Sequence, residues 1–231
     1  MKIYYRLSNQ NASVRKQKLP HATKEYCLKN TVSVFGLENI TVVGDNLNVE
    51  TEEMVNSLGV KLVKVNNGSG AGTFRSALDL AIEENSDEEI IYLLEDDFLH
   101  KPEAAQIIEE GVKNFNTYVT GYDHPDKYMN KHQGGNPLIE YGGEVTRLVR
   151  TQSTHWKITN STVMSFAASR QRLLADKELL YKYSVGKATD SFKFFLELTK
   201  EKGTLCLSSV PGVSTHVEQA WLTPFTDWNK I

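Results

Sequence analysis

Several features that mark secreted, membrane or redox proteins are scarce in this sequence or missing from it. Its two cysteines, Cys27 and Cys206, lie far apart and in no metal-binding or redox spacing, so both are expected to be reduced structural thiols. No apolar run approaches the roughly 20 residues needed to cross a bilayer, and the amino-terminal residues lack a signal-peptide profile. We therefore expect no transmembrane segment and a cytoplasmic protein.

An excess of charge of one sign is also missing. The formal net charge is -3, from 26 basic and 29 acidic residues, so no overall positive field attracts a nucleic-acid backbone. Nucleic acid is therefore not an expected partner. The one dense basic stretch contains Arg15, Lys16 and Lys18. It is either a solvated loop or, because it follows the first predicted strand, a loop whose cations approach the phosphates of a ligand.

The composition is that of a folded globular chain. Hydrophobic residues make up 40% of the chain and charged residues 24%, both ordinary for a soluble globular protein. The length of 231 residues favours a single domain over residues 1–231. No internal repeat or low-complexity tract occurs, which excludes solenoids and propellers.

Predicted strands and helices alternate through the first half of the sequence. Strands are predicted at residues 2–7, 40–43, 61–65 and 90–94, and helices at 23–35, from the cap Thr51 to Gly59, around Phe74, and from Pro102. Apolar residues of the third helix recur at three- and four-residue intervals, which indicates one buried face: Phe74, Ala77, Leu78, Ala81 and Ile82. This order predicts an α/β fold with a Rossmann-like, mainly parallel sheet and helices on both faces. Ligands then bind at the carboxyl ends of the strands.

The second half of the sequence is less regular. A long loop is predicted at residues 123–137, strands at 144–150 and 162–166, and helices at 170–181 and 191–198. This half is expected to form the other wall of a cleft.

Three consecutive acids, Glu95, Asp96 and Asp97, follow the apolar strand 90–94. Like charges a few ångströms apart raise one another's pKa unless a cation intervenes, and a divalent metal would remove that cost. Because alternate residues of an extended segment point the same way, Glu95 and Asp97 are expected to face one cleft while Asp96 turns elsewhere. Oxygen ligands suit Mg²⁺ or Mn²⁺. A solvated acidic turn before the next helix is the alternative interpretation.

A glycine-containing loop at residues 66–72 leads into the helix around Phe74. Glycine lets the backbone approach a ligand, and a helix amino terminus offers N–H groups to an anion. The spacing is Gly-x-Gly-x-Gly and follows the third strand, which is unlike the dinucleotide fingerprint. A plain turn is the other interpretation.

Taken together, the glycine loop, Arg75, Ala81 and the run 91–97 resemble the nucleotide-sugar domain of GT-A glycosyltransferases of the family 2 kind. The resemblance implies a GT-A (nucleotide-diphospho-sugar transferase) fold in which residues 1–122 bind the donor and 123–231 form the acceptor side. It implies Mn²⁺ or Mg²⁺ held by Asp97 with Glu95. It also implies donor contacts from these residues and loops: Ser8, Asp45, Asn67, Gly68, Arg75, Glu95 and Asp96.

Two later residues acquire roles through the same resemblance. Asp190 begins a predicted helix, as does the catalytic carboxylate of inverting members; alternatively it complements the helix dipole, with Thr189 as the cap. His216 resembles a carboxyl-terminal histidine that some GT-A enzymes add to the metal site; a structural histidine is the alternative.

The predicted function is therefore metal-dependent glycosyl transfer. A sugar would move from a UDP- or GDP-sugar donor to a hydroxyl of a glycan or other acceptor, with inversion, and Asp190 would take the acceptor proton. Three alternatives stay open. A nucleotidyltransferase that forms nucleotide sugars would normally carry a glycine-rich loop after the first strand, where this sequence reads Ser8-Asn9-Gln10-Asn11. A non-catalytic nucleotide-binding module and an oxidoreductase using the glycine loop are the others.

Overall fold

The computed structural model of the protein describes residues 1–9, 17–141 and 143–231. Its strands are β1 (Lys2–Ser8), β2 (Ile40–Asp45), β3 (Lys61–Val65), β4 (Ile90–Glu95), β5 (Phe98–His100), β6 (Tyr118–Thr120), β7 (Leu148–Arg150), β8 (His155–Thr159), β9 (Phe166–Ser169), β10 (Cys206–Val210) and β11 (Ser214–His216). Its α-helices are α1 (Lys24–Phe35), α2 (Val49–Ser57), α3 (Gly70–Glu84), α4 (Ala104–Phe115), α5 (Arg170–Ala175), α6 (Lys177–Lys182) and α7 (Ser191–Lys202). None of these helices is long and apolar enough to cross a membrane.

A nine-stranded sheet organises the described chain, in the order β3-β2-β1-β4-β9-β6-β10-β8-β7. The four strands β3, β2, β1 and β4 are parallel to one another. The strand β9 is antiparallel to both of its neighbours, so β6 and β10 run in the same direction as β4. A separate two-stranded sheet pairs β5 with β11.

Helices cover both faces of this sheet because its strands alternate their side chains. Tyr5 of β1 points to the face covered by α1 and α4, whereas Tyr4 points to the face covered by α3 and α7. The central strand β4 is buried through Leu94 and is apolar on both faces, as a strand between two helical layers must be. The predicted mainly parallel sheet with helices on both faces is confirmed.

Some predicted boundaries were wrong. The helix α2 begins at Val49, because Asn48 caps it by accepting a hydrogen bond from the Thr51 amide; Thr51 is not the cap. The helix α4 begins at Ala104, two residues after Pro102. In the second half, the predicted strand 144–150 shortens to β7, the strand 162–166 lies instead at β9, and the helix 170–181 divides into α5 and α6.

Five strands were not predicted: β5, β6, β8, β10 and β11. Three of them contain only three residues, too few to show a period in the sequence. The loop predicted at 123–137 is present, with short 3₁₀ turns at Pro125–Tyr128 and Lys131–Gln133. The division of function between residues 1–122 and 123–231 stays a prediction.

Candidate functional site

The carboxyl ends of the parallel strands place several polar residues along one edge of the sheet. Ser8 of β1 lies opposite Asp45 of β2, and Arg6 of β1 lies opposite Glu95 of β4. Because parallel strands end at the same edge, these residues lie together although they are far apart in sequence. The acidic run 95–97 lies at this edge.

Three side chains at this edge of the sheet converge on one point. Ligand atoms of Glu95, Asp97 and His216 all lie within 4.8 Å of one another. His216 reaches this position because β11 pairs with β5, which begins one residue after Asp97; the Val217 amide donates to the Asp97 carbonyl at 3.0 Å. His216 Nε2 lies 3.0 Å from Asp97 Oδ2.

The donor set fits a divalent cation. It offers two carboxylates and one imidazole, and Asp97 Oδ1 is buried with no hydrogen-bond partner among the described residues. A buried carboxylate oxygen without a partner is costly, and a bound cation at this atom would remove that cost. Carboxylate oxygen with imidazole nitrogen suits Mn²⁺, and Mg²⁺ less well.

Glu95 is paired with a buried arginine. Arg6 Nη1 lies 3.2 Å from Glu95 Oε1, and Arg6 Nη2 donates to the Met164 carbonyl at 2.8 Å. Burial raises the pKa of Glu95, and the Asp97 charge adds to this rise, while Arg6 opposes it. Arg6 is 6% exposed. Arg6 was not predicted as a site residue, although a charge within an apolar strand is a signal for a buried partner.

Two lysines face the remaining acids. Lys18 Nζ lies 2.8 Å from Asp97 Oδ2, and Lys24 Nζ contacts Asp96 Oδ2. Burial by itself would raise the pKa of Asp97, but His216 and Lys18 hold it well below its usual range. Lys24 was also missed. Side-chain cations therefore balance the acidic run, so charge alone does not require a metal there. Arg15 and Lys16, also considered for ligand phosphates, lie outside the described residues.

Asp96 turns away from the other two acids. Its Oδ2 accepts from the Ser8 amide at 3.3 Å, and its carbonyl accepts from the Tyr5 hydroxyl at 3.0 Å. The alternation expected for an extended acidic segment is thus present. Ser8 joins β1 to the acidic run at the point where a donor was predicted to bind.

Asp45 anchors the glycine loop. Its Oδ1 accepts from the amides of Asn67 and Gly68 at 2.8 and 3.3 Å, and its Oδ2 accepts from the Thr73 hydroxyl at 2.7 Å. The side chain is 1% exposed. Asp45 therefore fixes the loop and the first turn of α3 in this structure, and its predicted donor contact stays a prediction, as do those of Asn67 and Gly68.

Arg75 lies on α3 and is engaged by α6. Its Nη2 donates to the Tyr181 carbonyl at 2.9 Å, and its guanidinium lies 4.7 Å from the centre of the Tyr181 ring. Within the described chain, Arg75 thus joins two helices, and its predicted donor contact is not tested.

Asp190 caps α7. Its Oδ1 accepts from the Lys193 amide at 3.0 Å, and its Oδ2 lies 2.9 Å from Lys193 Nζ. Burial alone would raise the pKa of Asp190, but these contacts lower it. Thr189 is not the cap. The segment just before Asp190 lies against the start of α3. The Lys187 carbonyl oxygen is 3.6 Å from the position that a Cβ atom on Gly70 would occupy.

Aromatic rings often stack on sugars, but most of the rings formed by the three tryptophans, Tyr122 and Tyr141 belong to the core. Trp156, Trp228 and Tyr122 are at most 1% exposed. Tyr141 is 90% exposed, and Trp221 is half-buried with its ring 5.3 Å from that of His124. Only these last two retain a surface that a sugar can contact.

Comparison with known proteins identifies the fold. The sequence matches no protein-family model, and a search of curated proteins finds no match. A nucleotidyl transferase from Methanothermobacter thermautotroptrophicus superimposes with a TM-score of 0.51 at 13% identity, covering 90% of this chain and 87% of that one. A CMP:2-keto-3-deoxy-manno-octonic acid synthetase complexed with CTP gives 0.51 at 14% identity, covering 92% of each chain.

A glucosyl-3-phosphoglycerate synthase from Mycobacterium tuberculosis, in complex with Mg²⁺ and UDP, reaches a TM-score of 0.49 at 13% identity, covering 90% of this chain and 68% of that one. That score is too low to argue from. The chain has the GT-A-like, nucleotide-diphospho-sugar transferase fold, as predicted, and identities this low show the fold alone. Such a likeness does not identify a family 2 member.

Proposed function

We propose that the protein is a metal-dependent glycosyltransferase that moves a sugar from a nucleoside-diphosphate donor to an acceptor hydroxyl. One observation carries the proposal: Glu95, Asp97 and His216 converge within 4.8 Å at the carboxyl edge of the sheet. Ligands of open α/β sheets bind at this edge.

Glu95, Asp97 and His216 would hold Mn²⁺ or Mg²⁺. When bound, such a cation neutralises charge on a leaving nucleoside diphosphate. The Lys18 and Lys24 side chains are 41% and 39% exposed and carry their charge on flexible stems, so they can turn from the carboxylates to donor phosphates. Asp45 holds the glycine loop in place beside the donor.

Asp190 would take the proton from the acceptor hydroxyl. The Asp190 carboxylate is ionised at neutral pH, as a general base must be, although its lowered pKa makes it a weaker proton acceptor. Its side chain is 38% exposed, so an acceptor can reach it. The contact with Lys193 is an exposed pair and stabilises the carboxylate only weakly.

Nucleotidyl transfer is the second candidate, because the solved structures reported above with TM-scores over 0.5 are nucleotidyltransferases. That likeness shows the fold alone. No glycine occurs between Ser8 and Gly36, so the sequence lacks a glycine-rich phosphate loop after β1. The products separate the two reactions: nucleotidyl transfer releases pyrophosphate from a nucleoside triphosphate and a sugar phosphate, whereas glycosyl transfer releases a nucleoside diphosphate.

The donor site is tested by thermal unfolding with UDP, GDP and their sugar conjugates, each with and without Mn²⁺. A ligand at about one hundred times its dissociation constant should stabilise the fold by roughly 2.7 kcal/mol. We expect a Mn²⁺-dependent shift with one nucleoside diphosphate that is lost in Asp97→Ala. Asp87→Ala, which removes an exposed acid paired with Arg170, is the matched control and should keep the shift. Absence of any shift with the wild-type protein contradicts the proposed site.

The base is tested separately with Asp190→Asn. We expect sugar transfer to fall by about two to four orders of magnitude, the usual contribution of a general base, while the Mn²⁺-dependent thermal shift with the donor is unchanged. Asn still caps a helix well, so the fold should be retained. Turnover close to that of the wild type removes Asp190 from this role.

A further inference from the structure

A cavity of about 310 Å³ lies at the opposite edge of the sheet from the acidic cluster. Its lining includes residues 115–117, which precede β6, and residues 203–205, which precede β10. Both strands run in the direction of β4, whose carboxyl end carries Glu95. The cavity is therefore separate from the site of the proposed transfer reaction.

The floor of the cavity is apolar. Ile158 of β8 and Leu207 of β10 are cross-strand partners, and both line it. Phe115, Val149 and Leu205 complete the apolar surface and are only partly buried, packed against the main core. Ligand sites are commonly of this kind, with an apolar surface and a small number of polar groups that fix orientation.

Two arginines supply the charge. Arg147, just before β7, and Arg172, on α5, both line the cavity, and none of the described lining residues is acidic. Neither guanidinium has a hydrogen bond or ion pair within the described part of the chain.

The two acids closest to these arginines in sequence are paired with lysines. Asp176 Oδ1 lies 2.6 Å from Lys202 Nζ, and its Oδ2 accepts from the Tyr118 hydroxyl at 3.0 Å. Glu144 Oε1 lies 3.0 Å from Lys127 Nζ. The two guanidinium groups are therefore available for an anion from solution, and their planar forks match phosphate oxygens.

We propose that this cavity binds an amphiphilic phosphate, a phosphate monoester of a short aliphatic alcohol. The aliphatic chain lies on the apolar floor, and Arg147 and Arg172 bind the dianionic head group. A volume of 310 Å³ corresponds to the liquid share of roughly ten water molecules, which accommodates a chain of about eight carbons when the head group lies at the mouth.

Octyl phosphate, titrated calorimetrically into the 231-residue chain in EDTA without donor, is the probe. We expect saturable binding of one equivalent, with Arg147→Gln and Arg172→Gln each weakening it about tenfold or more, as loss of a charged hydrogen bond does. Arg150→Gln is the matched control, because Arg150 is exposed on β7, three residues after Arg147, and does not line the cavity. It should change the affinity less than twofold. Octanol, which lacks the charge, should bind at least tenfold more weakly.

A third variant locates the site. Thr204→Trp adds an indole at a lining position in the loop before β10 and should abolish binding while the variant still melts cooperatively. Retained binding in this variant, or equal affinity for octanol, overturns the proposal. Octanoate binding within twofold of octyl phosphate also overturns it, since the head group would then be a carboxylate. Because neither metal nor donor is present, these results do not depend on the proposed transferase activity.

Discussion

Each acid of the 95–97 run faces a different cation. Glu95 pairs with Arg6, Asp96 with Lys24 and Asp97 with Lys18. Because these partners come from a strand, a helix and the segment before that helix, three adjacent carboxylates coexist with little exposure to solvent. The case for a metal rests instead on His216 and on the Asp97 oxygen that no described residue contacts.

His100 gives a residue-scale prediction of pH dependence. The side chain is fully buried, and burial lowers the pKa of His100 from 6.5 to about 3. The unfolded chain therefore takes up a proton near pH 6.5 while the folded protein does not, so stability is lost as the pH falls below 6.5. At pH 5 the loss from this group is about 2 kcal/mol.

Urea unfolding at pH 7.5 and pH 5 tests this prediction. In His100→Phe, whose ring can still pack beside Phe35, the difference in stability between the two pH values should shrink by about 2 kcal/mol. His155→Phe, at an exposed position on β8, is the matched control. Equal pH dependence in wild type and His100→Phe would show that another group is responsible.

At the scale of elements, α4 packs on β8 through a glycine. A Cβ added to Gly111 would stand 2.5 Å from Trp156 Cη2, closer than atoms can approach. The Trp156 side chain is fully buried, and its indole donates to the Thr151 hydroxyl at 3.1 Å, so the ring has little freedom to move. Gly111 thus sets how closely the helix lies on the sheet.

Gly111→Ala should therefore destabilise the protein by about 1–3 kcal/mol through overpacking, although alanine is the better helix former. Urea unfolding measures the change. Gly70→Ala is the control, because its nearest contact would be the Lys187 carbonyl at 3.6 Å, an ordinary separation. In the double variant with Trp156→Phe, the loss should be smaller than the sum of the single losses. Additive losses would show that the two positions do not meet.

At the scale of the whole molecule, the carboxyl-terminal segment holds both sides of the candidate metal site. Trp228 belongs to a small buried cluster with Leu19 and Val217, the neighbours of Lys18 and His216. Leu99 of β5 belongs to the same cluster. Packing around Trp228 therefore positions Lys18 and His216, which both contact Asp97. Trp228 has no proposed role in binding the metal or the donor.

Trp228→Ala should destabilise the protein by about 3–5 kcal/mol and weaken Mn²⁺ binding, because Lys18 and His216 lose their common support. Mn²⁺ titration followed by electron paramagnetic resonance, on protein shown to be folded, measures the second effect. Trp221→Ala is the control, because it removes another indole ring that lies outside this cluster. The Mn²⁺ affinity of this variant should stay within about twofold of the wild-type value. Unchanged Mn²⁺ affinity in folded Trp228→Ala would show that the cluster does not position the metal site.

The elements that were predicted correctly carry local signals. The apolar run of β4, the three- and four-residue spacing in α3 and the alternation of strands with helices are all readable over ten to twenty residues. These signals determine which faces are buried, and hence a mainly parallel sheet with ligands at its carboxyl edge. Asp190 at the start of α7 is equally local, since a carboxylate satisfies free amides there.

The partners of the site residues depend on long-range pairing. His216 and Asp97 are 119 residues apart, and they meet only because β11 pairs with β5, two three-residue strands without a readable period. The same holds for Arg6 with Glu95 and for Asp45 with the glycine loop. The amino-acid order alone determined the four parallel strands β1 to β4, the helices that alternate with them and the position of the acidic run. Tertiary structure decided which side chains surround that run, because such contacts are fixed by packing between distant segments and leave no pattern within either one.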